Sequence, residues 1–474
     1  MPEMCRWMCR ATVRATIRAT ARAAVVGLTA LLFLAPIKAQ AMDLAQTWQL
    51  ALNNDPTYQS ARAEYRAMMQ KTPQARAALL PQVDSSITGA YLDSRATGPL
   101  NQVYQGSRSA WSLSLTQPVF NWSAIQGFEQ SKLVVAQAEL NLQVAYQNLI
   151  LRVSEAYFEV LARQDTLEAL RAEKRSIAEQ LAASKQRFEL GDATVTDALE
   201  AQARFDVVSA NIIGVENDLS TAEDELARII GRPPEAKQLF ALPYMVDLPE
   251  PKPNRLADWS NQAKTASLDV VRSRIQTQIA EYDIQIAKSG HYPTVSLSAS
   301  STSNTVGNSQ VRPFFDGRTI DNSVALTLSV PIYSGGGVNA EVVEKAELQQ
   351  KSVYDLEATR RRALQLSRQF FNGVQAGLAR IKGLQAAEKS SLSALKANIT
   401  GYNLGVRINL DVLDAQRQLF ITKRDLANAR YSTLVTSLRL RANSGVLSEA
   451  DLMAVNELLK PPGSPGTGVM HDVK

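Results

Sequence analysis

Asp411 and Asp414 stand three residues apart in a stretch of Leu, Val, Ala and Gln that reads as helix, so their carboxylates share one face. Carboxylates gathered in this way attract cations, and where several converge they raise one another's pKa. Asp197 opens an earlier stretch of the same kind, and Arg407 precedes Asp411, so the set also offers a guanidinium that an acid could hold. No other grouping promises chemistry. Beyond residue 41 the histidines are His291, beside a strand proline, and His471, in a Gly/Pro-rich tail, and neither has a metal or triad setting. Cys5 and Cys9 both fall in the first 41 residues, so disulfides, thiolate nucleophiles and cysteine metal sites are excluded from the remainder. Gly335-Gly336-Gly337 lacks the lysine of a phosphate loop and reads as a strand-to-helix turn. The sequence predicts no enzyme, no cofactor and no metal.

The elements that must position those residues belong to a folded chain: 474 residues, 45% hydrophobic and 20% charged. The net charge of +5 is concentrated at the start, where Arg6, Arg10, Arg14, Arg18, Arg22 and Lys38 face a single acid, Glu3. Beyond that stretch acids and bases are equal in number, which argues against a nucleic-acid partner. The arginines are followed by an apolar run, Ala23 to Ala35, and by Ala39-Gln40-Ala41. Together they read as a secretory signal peptide over 1–41, cleaved before Met42; an amphipathic arginine-rich targeting peptide is the competing reading. No cysteine follows the cleavage point to carry a lipid anchor, and no other run has the eighteen or so apolar residues of a transmembrane helix. An exported chain of this kind is soluble, peripheral or a β-barrel.

An internal repeat organises the rest. Leu190-Gly191 followed by Asp197-Ala198-Leu199-Glu200-Ala201-Gln202 matches Leu404-Gly405 followed by Asp411-Val412-Leu413-Asp414-Ala415-Gln416 at a constant offset of 214 positions, which Gly231 and Gly445 keep. The division is 42–231 as a first repeat, 232–258 as a Pro-rich linker, 259–445 as a second repeat, and 446–474 as a C-terminal segment and flexible tail. No proline occurs between Pro118 and Pro233 or between Pro331 and Pro461, so long helices are permitted only there. One heptad frame over Leu142–Phe188 puts apolar residues at eleven of fourteen seam positions, among them Tyr146, Leu149, Val153, Val160, Leu167, Ile177, Leu181 and Phe188. That predicts a helix from about Ser123 to Leu190, on the order of 100 Å long. A second, from about Ser334 to Tyr402, follows the same plan. Gly191 and Gly405 suit the left-handed position after a helix, so each repeat predicts a long antiparallel helical hairpin.

Ahead of each long helix the period changes from 3.6 to 2. Val83, Ile87 and Tyr91 alternate with Asp84, Ser86 and Thr88, and Trp111, Leu113 and Leu115 with Ser112, Ser114 and Thr116. Val295, Leu297 and Ala299 alternate with Ser296 and Ser298, and Val324, Leu326, Leu328 and Val330 with Ser323, Thr327 and Ser329. One apolar and one Ser/Thr face suit lipid outside and water inside, although each strand alone fits a hairpin on a soluble core equally well. Closure separates the two. Four strands of about ten residues leave open edges, which hydrocarbon does not tolerate. Two chains would give an eight-stranded barrel filled by its own side chains; three give twelve strands, enough for a conduit.

The repeat, Leu79-Leu80-Pro81-Gln82, Gln117-Pro118-Val119-Phe120, and Gly401-Tyr402-Asn403-Leu404-Gly405 with Asp411-Val412-Leu413-Asp414-Ala415 resemble the TolC family of trimeric outer-membrane channel-tunnels, over essentially the whole chain beyond residue 41. The resemblance implies an α+β membrane protein: a homotrimer with a twelve-stranded outer-membrane β-barrel, four strands per chain, continuous with a twelve-helix periplasmic α-barrel. It implies a seat in outer-membrane lipid and service as the exit duct of a type I secretion system. The partners would be a periplasmic membrane-fusion adaptor, an inner-membrane ABC transporter or other pump, and an exported protein substrate such as an RTX-type toxin. Multidrug efflux is the alternative within the architecture; a periplasmic coiled-coil adaptor, with one hairpin per chain, is the alternative outside it. The resemblance also places the family's gate on Tyr402, Arg407, Asp411, Asp414 and Asp197, with Arg407 near Asp197 linking the inner and outer hairpins and six carboxylates converging on the axis. Ile399 departs from the family, which can carry an acid there. A plainer account competes: Asp197 and Asp411 cap helix starts, and Tyr402 is a seam residue.

Overall fold

The computed structural model describes residues 42–96, 102–191, 194–234, 238–244, 246–307 and 317–462; the expected export signal and the last part of the tail lie outside them. The chain runs twice through one series of elements. Helices α1 (Leu44–Asn54), α2 (Pro56–Met68) and α3 (Lys71–Ala77) lead into strands β1 (Gln82–Ala96) and β2 (Gln102–Phe120), then helices α4 (Trp122–Glu189) and α5 (Val195–Ile230). Helices α6 (Leu256–Ala266) and α7 (Leu268–Lys288) lead into β3 (Thr294–Gly307), β4 (Gly317–Ser329), α8 (Gly337–Asn403) and α9 (Asn409–Asn443), and α10 (Glu449–Asn456) follows. This is the α+β architecture that the change of period implies.

The two long helices have 68 and 67 residues. At 1.5 Å per residue each is on the order of 100 Å long. Both are followed by a left-handed glycine, Gly191 at φ +82° and Gly405 at φ +73°, a backbone state that other residues rarely adopt. In α8 the buried stripe is narrow: Ser367, Val374, Ile381, Glu388 and Leu395 recur every seven residues, with Tyr402 next in the series. In α4 the predicted seam residues Leu149, Val153, Val160, Leu167, Ile177 and Leu181 are buried, but so are Ile150, Tyr157, Phe158 and Leu161. The stripe widens there because α1, α9, α10 and segment 238–244 all pack around mid-α4 and form the principal core. Phe188 departs from the seam: near the hairpin tip it is 46% exposed.

Hydrogen bonds tie that level of the molecule together. Met42 N donates to Gln238 O at 2.8 Å, Phe240 N to Met42 O at 3.1 Å, and Ala241 and Lys460 exchange bonds of 3.0 and 2.9 Å. Tyr157 Oη, from α4, donates to Phe240 O at 2.8 Å. The chain's first described residues, its central linker and its C-terminal segment thus meet on one side of the first long helix.

The four strands form one antiparallel sheet in the order β1-β2-β3-β4. They are longer than the ten or so residues predicted, at 13 to 19. Register places Val83 opposite Leu115, Ile87 opposite Trp111, Leu115 opposite Ala299 and Leu297 opposite Leu326, so the apolar sets of all four strands fall on one face. The other face carries Ser86 against Ser112 and Ser300 against Ser323, each pair hydrogen-bonded through the hydroxyls at 2.8 and 2.9 Å. Ile87 and Val324 are 81% and 77% exposed within the chain. Among the described residues the outer edges of β1 and β4 pair with nothing, and no helix is long and apolar enough to cross a membrane.

Candidate functional site at the hairpin tips

At the first tip, α4 ends at Glu189 and α5 begins after Thr194 with a capping box. Thr194 Oγ1 accepts from Asp197 N at 3.4 Å, and the Asp197 carboxylate accepts from Thr194 N at 3.2 Å and from its hydroxyl at 3.0 Å. At the second tip, α8 ends at Asn403 and the chain turns through Gly405, with Val406 N and Arg407 N both donating to Gly401 O at 3.0 and 3.3 Å. The Arg407 side chain folds back over Gly401: a Cβ at that position would lie 2.7 Å from Arg407 Cγ. Ile408 then starts α9 without a side-chain cap.

The structure rearranges the predicted partners. Within one chain Arg407 does not meet Asp197. Its guanidinium lies 3.6 Å from Asp411, one turn along its own hairpin, while the Asp197 carboxylate is occupied by the start of its own helix. The reason is local: an (i, i+4) partner is always within reach, and a capping acid is already held by two donors. Asp414 accepts from Arg204 of α5 at 2.6 Å, a pair that crosses from one hairpin to the other. Each aspartate of the predicted constriction therefore carries an arginine of the same chain. Tyr402 does not reach Asp197 either. Its ring lies 4.6 Å from the Arg187 guanidinium of α4, and its enclosed hydroxyl has no hydrogen-bond partner among the described residues.

Four residues that sequence reasoning missed make the polar contacts between the two hairpins at the tips. Arg187 Nη2 donates to Asn403 Oδ1 at 3.1 Å as well as covering Tyr402. Fully buried Asn409 accepts from Gln180 Nε2 at 2.5 Å and donates to Asp197 O at 3.0 Å. Arg204 holds Asp414. An apolar contact accompanies them, with Leu413 of α9 packed into a cluster that contains Leu167, Ile177, Leu181 and Val208 of the first hairpin. Just above, Glu173 is buried, and burial pushes its carboxyl up while Arg417, Arg204 and Arg424 oppose the rise. The sequence did hold a signal for three of the four. At the offset of 214, Asn409 stands where the first repeat has Val195, Gly401 where it has Arg187, and Gln418 where it has Arg204. The links occur where the repeat breaks its own pattern.

What this arrangement can do is hold and release. Exposed charge pairs such as Arg204–Asp414 are worth about 0–1 kcal/mol each, and an exposed cation–π contact about 0.5–1 kcal/mol. Such contacts fix a conformation without locking it. Among the described residues there is no group of His, Cys, Asp and Glu able to hold a metal ion.

Comparison with known proteins identifies the architecture. The model of the outer membrane efflux protein family matches the chain twice, over residues 47–232 and 259–446. The outer membrane protein TolC of Escherichia coli is 33% identical over 90% of this chain and 87% of its own. The alkaline protease secretion protein AprF of Pseudomonas aeruginosa is 31% identical over 90% of this chain and 89% of its own. The outer membrane efflux protein BepC of Brucella suis is 24% identical over 85% of each. Among solved structures, the outer membrane protein VceC of Vibrio cholerae superposes with a TM-score of 0.72 at 19% identity, covering 85% of this chain and 96% of that one. Channels of this kind are trimeric, work with adaptors and inner-membrane pumps, and catalyse no reaction. The chain belongs to the TolC family: it is an outer-membrane exit duct with a large periplasmic tunnel.

Proposed function

We propose that this duct serves a type I secretion system, exporting a protein of the RTX-toxin class, such as cyclolysin, as a homotrimer working with an inner-membrane ABC transporter and a periplasmic membrane-fusion adaptor. The observation that carries the assembly is the sheet: among the described residues it has four strands, one continuous apolar face, and two unpaired edges, which hydrocarbon excludes until other copies close them. Two hairpins per chain joined to that sheet are inconsistent with a coiled-coil adaptor. Protein cargo is favoured over small molecules because the relative named for protease secretion is 31% identical, against 24% for the one named for efflux. In this reading residues 1–41 are a cleaved export signal, 42–231 and 259–445 are the structural repeats, 232–258 and the segment from 446 girdle the helices midway, and the tips form the gate. Tyr402, Arg407, Asp411, Asp414 and Asp197 belong to that gate, joined by Arg187, Gln180, Arg204 and Asn409.

Deleting the gene tests the cargo: an exported protein retained inside the cell supports secretion, whereas intact protein export with heightened drug sensitivity assigns the duct to efflux. A heat-modifiable, detergent-requiring trimer is the expected product of purification; a monomer that stays folded without detergent rejects the assembly. In planar bilayers the channel should prefer cations, and unchanged selectivity in Asp411→Ala/Asp414→Ala removes the carboxylates from the conduction path.

A further inference from the structure

Above the tips, six polar side chains from four elements meet inside the packing, and none belongs to the gate. Glu388 of α8 and Lys423, Arg430 and Tyr431 of α9 are all buried. Asp165 of α4 and Tyr244 of segment 238–244 complete the group. Tyr431 Oη donates to Asp165 Oδ2 at 2.7 Å, Tyr244 Oη donates to Glu388 Oε1, and the Arg430 guanidinium lies 5.5 Å from the Tyr244 ring. All but Glu388 line one small cavity of about 20 Å³. Taking two acids and two bases out of water is costly, and breaking one partner of such a group costs more than the group contributes, so its members are held to one geometry. Burial pushes the Asp165 carboxyl up to about 7, opposed by the bond from Tyr431, and pushes the Lys423 ammonium down, opposed by Glu388.

Its position gives the cluster a task. Segment 238–244 is bonded to Met42 and Lys460 around mid-α4, so Tyr244 belongs to that fixed frame, yet its hydroxyl reaches the seam of the second hairpin. Asp165 reaches the same hairpin from the first. The second hairpin is thus gripped from two sides, over a stretch roughly 25–40 Å above its tip at 1.5 Å per residue. Higher still, α8 and α9 approach so closely that a Cβ on Gly377 would lie 2.3 Å from Thr433 Oγ1, which keeps them from sliding past one another. The cluster is also no residue of the repeat. At the offset of 214, Asp165 matches Ala379, Glu388 matches Lys174, Lys423 matches Ser209, and Arg430 matches Glu216.

We propose that Asp165, Tyr244, Glu388, Lys423, Arg430 and Tyr431 form a fulcrum: they fix the second hairpin to the first hairpin and to the linker, so that releasing the tip contacts swings only the part of α8 and α9 below them. The proposal rests on the reading of the tips as a gate. The test measures distances between equivalent spin labels in the assembled full chain in lipid bilayers, with single labels at Leu404→Cys, at the tip, or Arg368→Cys, above the cluster; residues 42–474 contain no native cysteine. Breaking the tip with Arg187→Ser/Arg204→Ser should lengthen the Leu404→Cys distances and leave the Arg368→Cys distribution unchanged. Adding Tyr244→Phe or Lys423→Met should then shift the Arg368→Cys distribution, and Lys423→Arg should restore it. Movement at both labels while the cluster is intact overturns the fulcrum and leaves the gate standing. Movement at neither overturns the gate reading and the fulcrum with it. An Arg368→Cys distribution indifferent to both cluster variants overturns the role given to these residues.

Discussion

At the first hairpin tip, Thr194 and Asp197 close a capping box on the start of α5; at the second, Ile408 and Asp411 occupy the matching positions and no side chain caps α9. A capping hydroxyl is worth about 1 kcal/mol to a helix start, so the first tip carries its own support. The second does not. Its Asp411 turns to Arg407, its Gly401 makes room for that arginine, and Asn409, Tyr402, Asn403 and Asp414 all lean on the first hairpin. One sequence motif has thus given two mechanical parts: a self-supported tip that serves as a frame, and a dependent tip whose position is set from outside. A part held only by weak external contacts is one that a docking partner can move.

The most severe way to break that asymmetry is to remove what the frame supplies. Arg187→Ser with Arg204→Ser severs the cation–π contact, the bond to Asn403 and the pair with Asp414. Over three copies the loss is about a few kcal/mol, and single-channel conductance in planar bilayers should rise severalfold. Conductance at the wild-type level would mean that the second tip is held by something else. Arg407→Ser removes only the 3.6 Å pair within the second hairpin, and should change conductance less than the double variant.

The hairpins differ again higher up, where the first carries Asp165 and the second Ala379 at the matching position. Burial raises the folded-state pKa of Asp165 from the ordinary 3.8 to about 7. Between those values the folded chain keeps a proton that the unfolded chain has released, so this group stabilises at low pH and its contribution falls as pH rises from about 4 to about 7, then levels. Melting temperature followed across that window should show the decline in the wild type and a flatter profile in Asp165→Asn. Parallel profiles would show that the carboxyl ionises as freely as in the unfolded chain. A smaller effect is expected from Asn409→Val, which installs the first tip's residue in the second. It leaves the half-buried Gln180 amide without that partner and takes one of two donors from the Asp197 carbonyl, which its own helix still uses, at a cost of about 1 kcal/mol. Hydrogen exchange at the first turns of α9 should accelerate; protection as in the wild type would remove Asn409 from the contacts that matter.

What could be read in advance followed from periodicity. Alternation in Val83–Tyr91 or Val324–Val330 fixes a strand's faces, a seven-residue apolar spacing with no proline fixes a long helix, and Gly191 and Gly405 fix its end, because each signal sits within a few neighbouring residues. The contacts between the hairpin tips lie about 210 to 230 positions apart in sequence, as in Arg204–Asp414 and Gln180–Asn409, and no local period carries them. Within one chain Arg407 and Asp197 stay apart for that reason: the pairing looked natural by charge, but Asp197 is held by Thr194 and Arg407 lies beside Asp411. The informative positions are those where the repeat departs from itself. Val195 against Asn409 and Ala379 against Asp165 are the places where two copies of one plan were given different work. The widened burial around Tyr157 and Phe158 is not legible in a heptad, which describes one partner helix, whereas mid-α4 has several neighbours.

The smallest change sharpens the comparison instead of breaking it. Ile408→Thr gives the second tip the hydroxyl that Thr194 supplies to the first, with Asp411 already in place three residues on to complete the box. Ile408 is exposed, so the substitution opens no cavity. Two effects then compete. The new cap should stabilise the start of α9 by about 0.5–1 kcal/mol, and drawing Asp411 toward the cap should weaken its pair with Arg407, an exposed contact worth no more than that. Because the cap acts within one helix, slower exchange of the Asp411 and Val412 amides is expected with little change in conductance. If conductance rises while exchange slows, the Arg407–Asp411 pair bears on the closed position of the tip more than its exposure suggests, and the second tip is held from within as well as from the frame.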